Sequence, residues 1–446
     1  MRVLVAWPPH VPSYFNAGHH LAVYTTAAHL RTLAAAPDVQ TNEYGLLNVS
    51  WKEIGEDLYQ FSPDVLIIVN DFDTVDNLDR FIEYSRTLCP NVRIITAGRL
   101  STEAPAPFRQ YDLDAIVESG DIELGIAAYV DAVRQGADGD IPGVATRRDG
   151  SWHTPSAPGA RFAAGEWPLP DVREIPYEHY DRLYARDQSK FCGIPQRREL
   201  VVPVGRGCPI NCSFCDVPTV QGLRDRRLSP DDIVAYIEEA QAVRPFDYVS
   251  FYAPTFTFNR RWMIEFCDKM GASAHRLPWK CATAIPHLDE DLMRRMADAG
   301  CIRISVGLET LEPTGLATLP RKKQTDVLRF DELNQVAQET GIELNFFVMV
   351  GLPGTTLAGT RATIDAARSV GARVRPTVYS DLSALRSTTS KDDLWRFNRQ
   401  LLFDGRGEDS YPWYEFFFGR DEHVTSVMAR IPKVHGEGGT ENLGVA

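Results

Sequence analysis

The sequence predicts an α/β protein in which a doubly wound parallel sheet precedes an incomplete parallel barrel. Short apolar runs alternate with helical stretches over residues 1–140, and the same alternation resumes at Glu199. Strands that alternate with helices are typical of parallel sheets covered on both faces. The second half contains six strand–helix units, fewer than a closed barrel of this kind has. Three closely spaced cysteines follow its first strand, which predicts a site at the carboxyl ends of the strands.

In the N-terminal domain, residues 1–140, the sheet is predicted from the apolar runs Arg2–Trp7, Asp64–Val69 and Arg93–Ala97. Helical patterns lie between them near 21–36, 51–61 and 75–87. Ligands of such sheets bind beyond the carboxyl ends of the strands. The first loop there is long and aromatic, and we expect its His19 and His20 to contact substrate. No GxGxxG follows the first strand, so no dinucleotide site is predicted.

The rest of the chain divides by composition. Residues 141–195 are rich in Gly, Pro, Arg and Asp and lack periodicity, which predicts a linker. Residues 196–385 contain the barrel, with strands predicted at 199–204, 248–253, 279–284, 302–307, 343–350 and 373–379. Residues 386–446 contain one helical pattern, KDDLWRFNRQLLF, and a Gly-rich tail that we expect to be disordered.

The charge and hydropathy of the chain exclude several classes of function. The formal net charge of −13 is unsuited to nucleic acid, because phosphate neutralisation needs clustered Lys and Arg. No apolar run is long enough to span a bilayer, and the N-terminus lacks the order of a signal peptide. We therefore expect a cytoplasmic protein with reduced thiols. The acidity would suit a cationic small molecule, although solubility alone also explains it.

The segment GRGCPINCSFC places Cys208, Cys212 and Cys215 on one loop. Structural zinc sites take four ligands, and no convincing fourth Cys or His lies close by. A [4Fe–4S] cluster also usually takes four cysteines, so three would leave one iron open for a ligand that is also the reagent. The remaining cysteines are scattered and are expected in the core: Cys89, Cys192, Cys267, Cys281 and Cys301.

The spacing C-x3-C-x2-C, with Phe214 before the last cysteine, resembles the signature of the radical SAM superfamily. The resemblance implies a [4Fe–4S] cluster whose open iron chelates S-adenosylmethionine (SAM). It also implies an electron donor such as flavodoxin or ferredoxin. SAM would be cleaved to a 5′-deoxyadenosyl radical, which removes hydrogen from the substrate. The blocks 251–270, 279–310 and 345–356 resemble a subgroup in which a Rossmann-like, B12-binding-type domain precedes the radical SAM barrel.

The same resemblance assigns residues to the SAM site. Gly307 and Glu309 would lie against the adenosyl group, and Thr255 would lie near the methionine end. Gly351 would let the backbone approach the adenine closely. Phe214, inside the cysteine motif, is expected to belong to the same cofactor site.

Acid–base and substrate contacts are expected at the mouth of the barrel. Asp216 directly follows the last cysteine, and Asp216 and Glu309 are the expected catalytic acid and base. Tyr252, at the end of the second barrel strand, is expected to contact substrate.

The N-terminal domain departs from the subgroup where a corrinoid would rest. Gly98–Arg99 stands where a glycine pair is usual, and ESGDIE replaces an acidic GEGE turn. The motif D-x-H-x-x-G is absent. Ala253 and Pro254, in the barrel, also stand where acidic residues are usual. We therefore expect the N-terminal domain to serve as a scaffold without cobalamin.

A radical SAM chain without a corrinoid site is similar to the diol dehydratases of apramycin-type aminoglycoside biosynthesis. The resemblance implies a lyase that removes hydrogen from C4′ of an aminosugar such as paromamine and expels the 3′-hydroxyl. A separate NADPH-dependent reductase would complete the deoxygenation. Two alternatives remain open: a cobalamin-dependent radical SAM methyltransferase of natural-product biosynthesis, and a non-catalytic cluster protein.

Overall fold

The computed structural model describes residues 1–9, 19–47, 49–186, 194, 197–325, 327–379 and 381–399. These residues form two compact units. Unit 1 comprises residues up to Tyr180 together with 381–399, and unit 2 comprises the described residues from Asp181 to 379. Most of the loop before His19, together with Cys192 and the predicted C-terminal tail, lies outside the described residues. No helix of the described part is long and apolar enough to cross a membrane.

Unit 1 is built on a seven-stranded sheet. Its strands are β1 (Arg2–Trp7), β2 (Asp38–Glu43), β3 (Val65–Asn70), β4 (Arg93–Gly98), β5 (Ala115–Val117), β6 (Val144–Arg148) and β7 (Ser151–His153). The order is β2-β1-β3-β4-β5-β6-β7, parallel as far as β5 and antiparallel from there. The strand order reverses direction between β1 and β3, and ligands of doubly wound sheets bind beyond the carboxyl ends at such a point.

The helices of unit 1 follow the strands in alternation. They are α1 (Leu21–Arg31), α2 (Trp51–Phe61), α3 (Val75–Leu88), α4 (Arg99–Glu103), α5 (Pro105–Phe108), α6 (Ile122–Gln135) and α7 (Tyr177–Arg186). Every residue of β3 is buried, as expected for a central parallel strand covered by helices on both faces. Ser50 and Glu53 form a reciprocal capping box at the start of α2, which satisfies amides left unpaired by the helix. The boundary between the units falls within α7.

Unit 2 is built on a six-stranded parallel sheet. Its strands are β8 (Glu199–Pro203), β11 (Tyr248–Tyr252), β12 (Trp279–Ala284), β13 (Cys301–Glu309), β14 (Glu343–Val350) and β15 (Arg373–Val378). They lie side by side in chain order. A separate antiparallel hairpin pairs β9 (Gly205–Arg206) with β10 (Arg226–Arg227). This hairpin closes the loop that carries the three clustered cysteines.

Helices alternate with the strands of unit 2 as the sequence predicts. They are α8 (Val217–Val220), α9 (Pro230–Val243), α10 (Arg260–Ala272), α11 (Glu290–Asp298), α12 (Pro313–Leu316), α13 (Val327–Thr340) and α14 (Leu357–Ser369). Ser229 caps α9, and Pro230 follows at its first position, where a missing amide costs nothing. Two further helices belong to unit 1, α15 (Leu382–Arg386) and α16 (Lys391–Arg399).

Candidate functional site

The three clustered cysteines lie on the loop that follows β8, at the carboxyl end of the unit 2 sheet. All three are free thiols, and Cys208 and Cys212 are buried while Cys215 is half-buried. Asn211 turns the chain between them with a left-handed φ of 59°, a conformation that asparagine tolerates better than most residues. The Cys208 amide donates to the Gly222 carbonyl at 3.0 Å, and the Cys215 amide donates to the Cys212 carbonyl at 3.1 Å. The loop therefore has a defined backbone that fixes where its sulfurs lie.

Electrostatics keep two of these thiols protonated at neutral pH. Burial raises the pKa of Cys212 to about 11. Burial, and then the neighbouring Asp216, raises the pKa of Cys215 to about 12. A metal that binds here must displace these protons, so its binding would release them. In the described part of the chain no group of His, Cys, Asp or Glu is arranged to hold a single metal ion. In an iron–sulfur cluster each cysteine binds a different iron, an arrangement that three cysteines on one loop can supply.

Apolar side chains surround the cysteine loop. Cys208, Ile210 and Cys212 form a small buried cluster. The side chains packed against it are Phe214, Cys215, Val217 and Phe258. An apolar surround excludes water and lowers the local dielectric, which tunes both the potential of an iron–sulfur cluster and its access to solvent.

Phe214 connects the cysteine loop to the turn after β14. Its ring lies 6.4 Å from the ring of Tyr379 and packs with Leu352 in a second apolar cluster. Gly351 lies between β14 and Leu352 with a left-handed φ of 77°, where a side chain would be strained. The structure therefore brings Phe214 near the turn of Gly351, two of the residues that the sequence assigns to the cofactor site.

Glu309 and Gly307 lie together at the end of β13, where the strand is irregular. The pairing register of β13 with β14 shifts between Gly307 and Glu309, and Glu309 has a left-handed φ of 62°. This irregularity brings the carboxylate back over the glycine: a Cβ at Gly307 would lie 2.6 Å from Glu309 Oε1. Bulges re-aim side chains in this way and are common beside active sites.

Lys323 is a site residue that the sequence analysis missed. Its Nζ lies 2.9 Å from Glu309 Oε1, and both side chains are largely buried. Burial alone would lower the pKa of Lys323, but the Glu309 carboxylate raises it overall, and thiolates at Cys212 and Cys215 would raise it further. Lys323 therefore carries a positive charge close to the cysteine loop. The sequence signal was the basic run RKK after α12, which could have been placed at the mouth by its position after β13.

Thr255 lies on the turn after β11 and faces the cysteine loop. Its hydroxyl oxygen is 3.7 Å from the Cys208 sulfur, and both residues are buried. Tyr252 ends β11, and its carbonyl accepts from the Val204 amide at 2.9 Å. Asp216 precedes α8, where its carbonyl accepts amides of that short helix. The structure thus gathers the cysteines, Thr255, Gly307 and Glu309 at the carboxyl ends of the unit 2 strands.

His19 and His20, the expected substrate contacts, are buried inside unit 1. The Nδ1 of His20 lies 2.5 Å from Glu43 Oε2, and the Tyr180 hydroxyl donates to the same carboxylate at 2.5 Å. The His20 ring stacks on Trp7 with centroids 3.7 Å apart. The His19 ring lies 4.0 Å from the Tyr180 ring. This packing gives both histidines a structural role in unit 1, and their part in substrate binding stays a prediction.

The strand ends of unit 1 are less altered than the sequence suggests. A Cβ at Gly98 would lie 2.8 Å from the Asn70 amide nitrogen, so the close backbone approach after β4 is retained. Arg99 begins α4, and its Nη1 lies 3.3 Å from Asp71 Oδ1. In the ESGDIE turn, Gly120 has a left-handed φ of 93°. The Arg99 guanidinium therefore pairs with Asp71, while Gly98 makes the close backbone approach.

Comparison with known proteins identifies the barrel. Residues 202–367 match the radical SAM superfamily. An uncharacterized methyltransferase of Pyrococcus horikoshii is 24% identical over 72% of this chain and 68% of its own length. The anaerobic magnesium-protoporphyrin IX monomethyl ester cyclase of Rubrivivax gelatinosus is 24% identical over 81% of this chain and 61% of its own length. The chain thus spans about two thirds of these relatives.

The fold of the whole chain is shared with a solved methyltransferase. TsrM of Kitasatospora setae, a radical SAM methyltransferase solved with tryptophan and a SAM analogue, has a TM-score of 0.69 and 18% identity. The match covers 99% of this chain and 92% of TsrM. A second TsrM structure, with cobalamin and a [4Fe–4S] cluster bound, has a TM-score of 0.67 and covers 97% of this chain. The predicted fold class, a parallel α/β architecture with a Rossmann-like N-terminal region, is confirmed.

The predicted dehydratase is wrong. It was inferred from the supposed loss of a corrinoid site, whereas these relatives and the fold neighbour are methyltransferases and a cyclase. The expectation of a scaffold without cobalamin rested on the same substitutions, and the close approach at Gly98 and the pairing of Arg99 with Asp71 lend it no support. The fold is also that of a protein solved with cobalamin bound.

The cysteine loop and the match over residues 202–367 agree on the chemistry of unit 2. A radical SAM domain implies a [4Fe–4S] cluster and SAM, the two cofactors that the cysteine spacing predicts. Residues 202–367 therefore match the superfamily that the cysteine spacing resembles.

Proposed function

We propose that the chain is a cobalamin-dependent radical SAM methyltransferase that acts on a small organic molecule in natural-product biosynthesis. The observation that carries this proposal is the extent of the shared fold. The likeness to a radical SAM methyltransferase covers both units, including the doubly wound sheet of unit 1. The presence of unit 1 in both proteins supports a role for this unit in the reaction, beyond a role in folding.

In this proposal the residues of unit 2 hold the cluster and SAM. Cys208, Cys212 and Cys215 bind three irons, and the fourth is left for SAM. Lys323 supplies a positive charge suited to the SAM carboxylate, because its pKa is raised and it lies beside the cysteine loop. Glu309, paired with Lys323 at 2.9 Å, offers acceptor oxygens for the ribose hydroxyls.

The strand ends of unit 1 would hold the corrinoid. Ligands of doubly wound sheets lie beyond the carboxyl ends of the strands, which here are the turns after Asn70, Gly98 and Val117. Thr102, on α4 directly after β4, has a buried hydroxyl with no hydrogen-bond partner in the described part of the chain. A buried hydroxyl usually has a partner, so Thr102 fits a polar ligand at this edge. When bound, cobalamin supplies a metal centre that can accept and donate a methyl group.

The proposal is tested first by corrinoid binding. The full chain is reconstituted anaerobically with iron and sulfide, incubated with hydroxocobalamin, and passed through a size-exclusion column. We expect the visible absorption of the corrinoid to elute with the protein at about one per chain, as for a single-site ligand of a doubly wound domain. A chain that carries its full cluster but elutes free of corrinoid would contradict the proposal.

A further inference from the structure

The cysteine loop and the turn after β11 are joined by one buried arginine. Arg227 lies on β10, the second strand of the hairpin that closes the cysteine loop, and its side chain is 4% exposed. Its Nη2 donates to the Thr255 carbonyl at 2.9 Å, and its Nη1 donates to the Phe256 carbonyl at 2.6 Å. Its Nε donates to Asp225 at 2.8 Å. Each nitrogen of the guanidinium is thus committed to a defined acceptor.

Two further contacts hold the hairpin against the same turn. Gly205, on β9, packs so closely that a Cβ there would lie 2.8 Å from the Ala253 Cβ. The guanidinium carbon of Arg227 lies 4.8 Å from the centroid of the Trp262 ring, a cation–π distance. Trp262 is on the helix that follows the turn. The hairpin therefore touches the turn through Ala253, Thr255 and Phe256, and touches the next helix through Trp262.

We propose that Arg227 is a positioning residue that sets the Thr255 turn against the cysteine loop, and thereby shapes the end of the site where the amino acid part of SAM binds. Arg227 acts through Thr255, whose hydroxyl lies 3.7 Å from the Cys208 sulfur. This inference rests on the radical SAM domain and is independent of the group that the enzyme transfers.

The chemistry of arginine explains why this position demands it. Two backbone carbonyls and one carboxylate surround the side chain, and only a planar fork of donors can serve all three at once. A lysine would keep the charge but could not match the fork geometry. A glutamine would leave at least one buried carbonyl without a donor, and the turn would then move to recover a partner.

The glycine contact provides an independent test of the same idea. In Gly205→Ala the new Cβ would collide with the Ala253 Cβ, so the hairpin and turn must separate. Ala253→Gly in the same chain removes the collision. The double variant should therefore recover the SAM affinity that the single variant loses. A folding defect elsewhere in the chain would not be repaired by the second substitution.

The experiment uses the full chain with its cluster reconstituted anaerobically. The variants are Arg227→Lys, Arg227→Gln, Gly205→Ala and Gly205→Ala/Ala253→Gly. The matched control is Arg303→Gln, a buried arginine on β13 of the same unit that pairs with Glu343 at 2.7 Å. The readouts are iron per chain, SAM dissociation constant by equilibrium dialysis, and the change that SAM causes in the electron paramagnetic resonance spectrum of the reduced cluster.

We expect Arg227→Gln to retain its iron but to bind SAM about tenfold more weakly or worse, the effect of losing a charged hydrogen bond, with a diminished spectral response to SAM. Arg227→Lys should lie between it and the wild type. Gly205→Ala should likewise weaken SAM binding, and adding Ala253→Gly in the same chain should restore the SAM affinity. If Arg227→Gln fails to fold, the glycine pair decides the matter by the same readouts.

SAM binding that is unchanged in Arg227→Gln, or lost equally in Arg303→Gln, would overturn the positioning role. A Gly205→Ala defect that Ala253→Gly does not repair would also count against it. A wild-type chain whose cluster spectrum ignores SAM would overturn the radical SAM chemistry itself and this inference with it. A wild-type chain that binds SAM but no corrinoid would contradict only the proposed methyltransferase.

Discussion

At the scale of single residues, Glu309 illustrates how strain is placed at a site. A left-handed φ on a residue that is not glycine costs of order 1–3 kcal/mol. The bulge at the end of β13 imposes that conformation on Glu309, whose φ is 62°. The gain is an ion pair with Lys323 that is largely shielded from water. We infer that the bulge persists because it aims this carboxylate into the site.

The Glu309–Lys323 pair gives the first prediction at this scale. Lys323→Met removes the charge that the SAM carboxylate would meet and leaves Glu309 without its partner. We expect the SAM dissociation constant to rise about 10- to 100-fold, the effect of losing one charge-assisted hydrogen bond. Equilibrium dialysis with the reconstituted protein measures it.

Lys322 provides the matched control for this prediction. It is adjacent in sequence but exposed, so Lys322→Met changes the same net charge without touching Glu309. Equal SAM affinity in the two variants would show that Lys323 acts only through the general charge of the surface.

Sequence alone could place some of these residues and not others. The three cysteines are predictable because their ligand role depends on spacing along one loop. Glu309 is reached through a motif within one strand. Lys323 lies 14 positions beyond Glu309 and returns to it only through α12 and the turn that follows. The role of Arg227 could not be predicted either, because two of its partners are backbone carbonyls of a distant turn. Every residue has such a carbonyl, so the sequence does not show which ones act as acceptors.

At the scale of elements, one buried carboxylate ties together three parts of unit 1. Glu43 ends β2, and it accepts hydrogen bonds from Tyr24 on α1 and Tyr180 on α7, beside its contact with His20. Its side chain is fully buried. Burial alone would raise the pKa of Glu43, but His20 and the tyrosine hydroxyls lower it overall. The network therefore stabilises unit 1 only while Glu43 is ionised.

The sign of this shift predicts how stability depends on pH. A carboxyl whose folded pKa is lowered contributes its stability above the unfolded value of about 4.3 and loses it as pH falls through the folded value. Glu43→Gln should therefore lower the free energy of unfolding by about 1–3 kcal/mol at pH 7, the cost of weakening buried hydrogen bonds to a charged group. The difference from wild type should begin to shrink between about pH 5 and pH 4, as pH reaches the unfolded pKa of the carboxyl.

Chemical denaturation monitored at pH 7, 5 and 4 checks this prediction. Glu53→Gln is the control, because Glu53 has a lowered pKa through its capping box but is exposed, so its effect should be small. A loss of stability in Glu43→Gln that stays constant down to pH 4 would contradict the ionised network.

The elements themselves were predictable where burial imposes a pattern. The runs at 279–284 and 343–350 match β12 and β14 residue for residue, since central parallel strands are continuously apolar. The edge strand β2, DVQTNE, is largely polar and only its last residue is buried, so periodicity gives no signal there. The hairpin β9–β10 consists of two residues on each strand, and its pairing is set by the cysteine loop that it closes.

At the scale of the whole molecule, net charge is a weak guide to what a site binds. The chain carries a formal net charge of −13, which suggested a cationic aminosugar. At the mouth of unit 2, however, Lys323 lies close to the cysteine loop. Net charge describes solubility and long-range attraction, whereas a site is defined by the few groups that line it. Local charge is therefore the better guide to what binds there.

The dehydratase inference failed at this scale too. It weighed single substitutions in short motifs of unit 1, such as Arg99, against the architecture as a whole. The fold shared with a methyltransferase over 99% of the chain shows that the doubly wound unit is retained complete. The charge of Arg99 at the end of β4 is met locally by Asp71, which the sequence motif alone does not reveal.

The most direct test of the central claim follows the fate of SAM. Methyl transfer from SAM leaves S-adenosylhomocysteine, whereas radical cleavage leaves 5′-deoxyadenosine and methionine. The reconstituted full chain is incubated anaerobically with SAM and a reductant, with and without cobalamin, and both nucleosides are quantified by mass spectrometry. The account predicts S-adenosylhomocysteine that forms only when cobalamin is present. Production of 5′-deoxyadenosine alone, at the same rate with and without cobalamin, would contradict it.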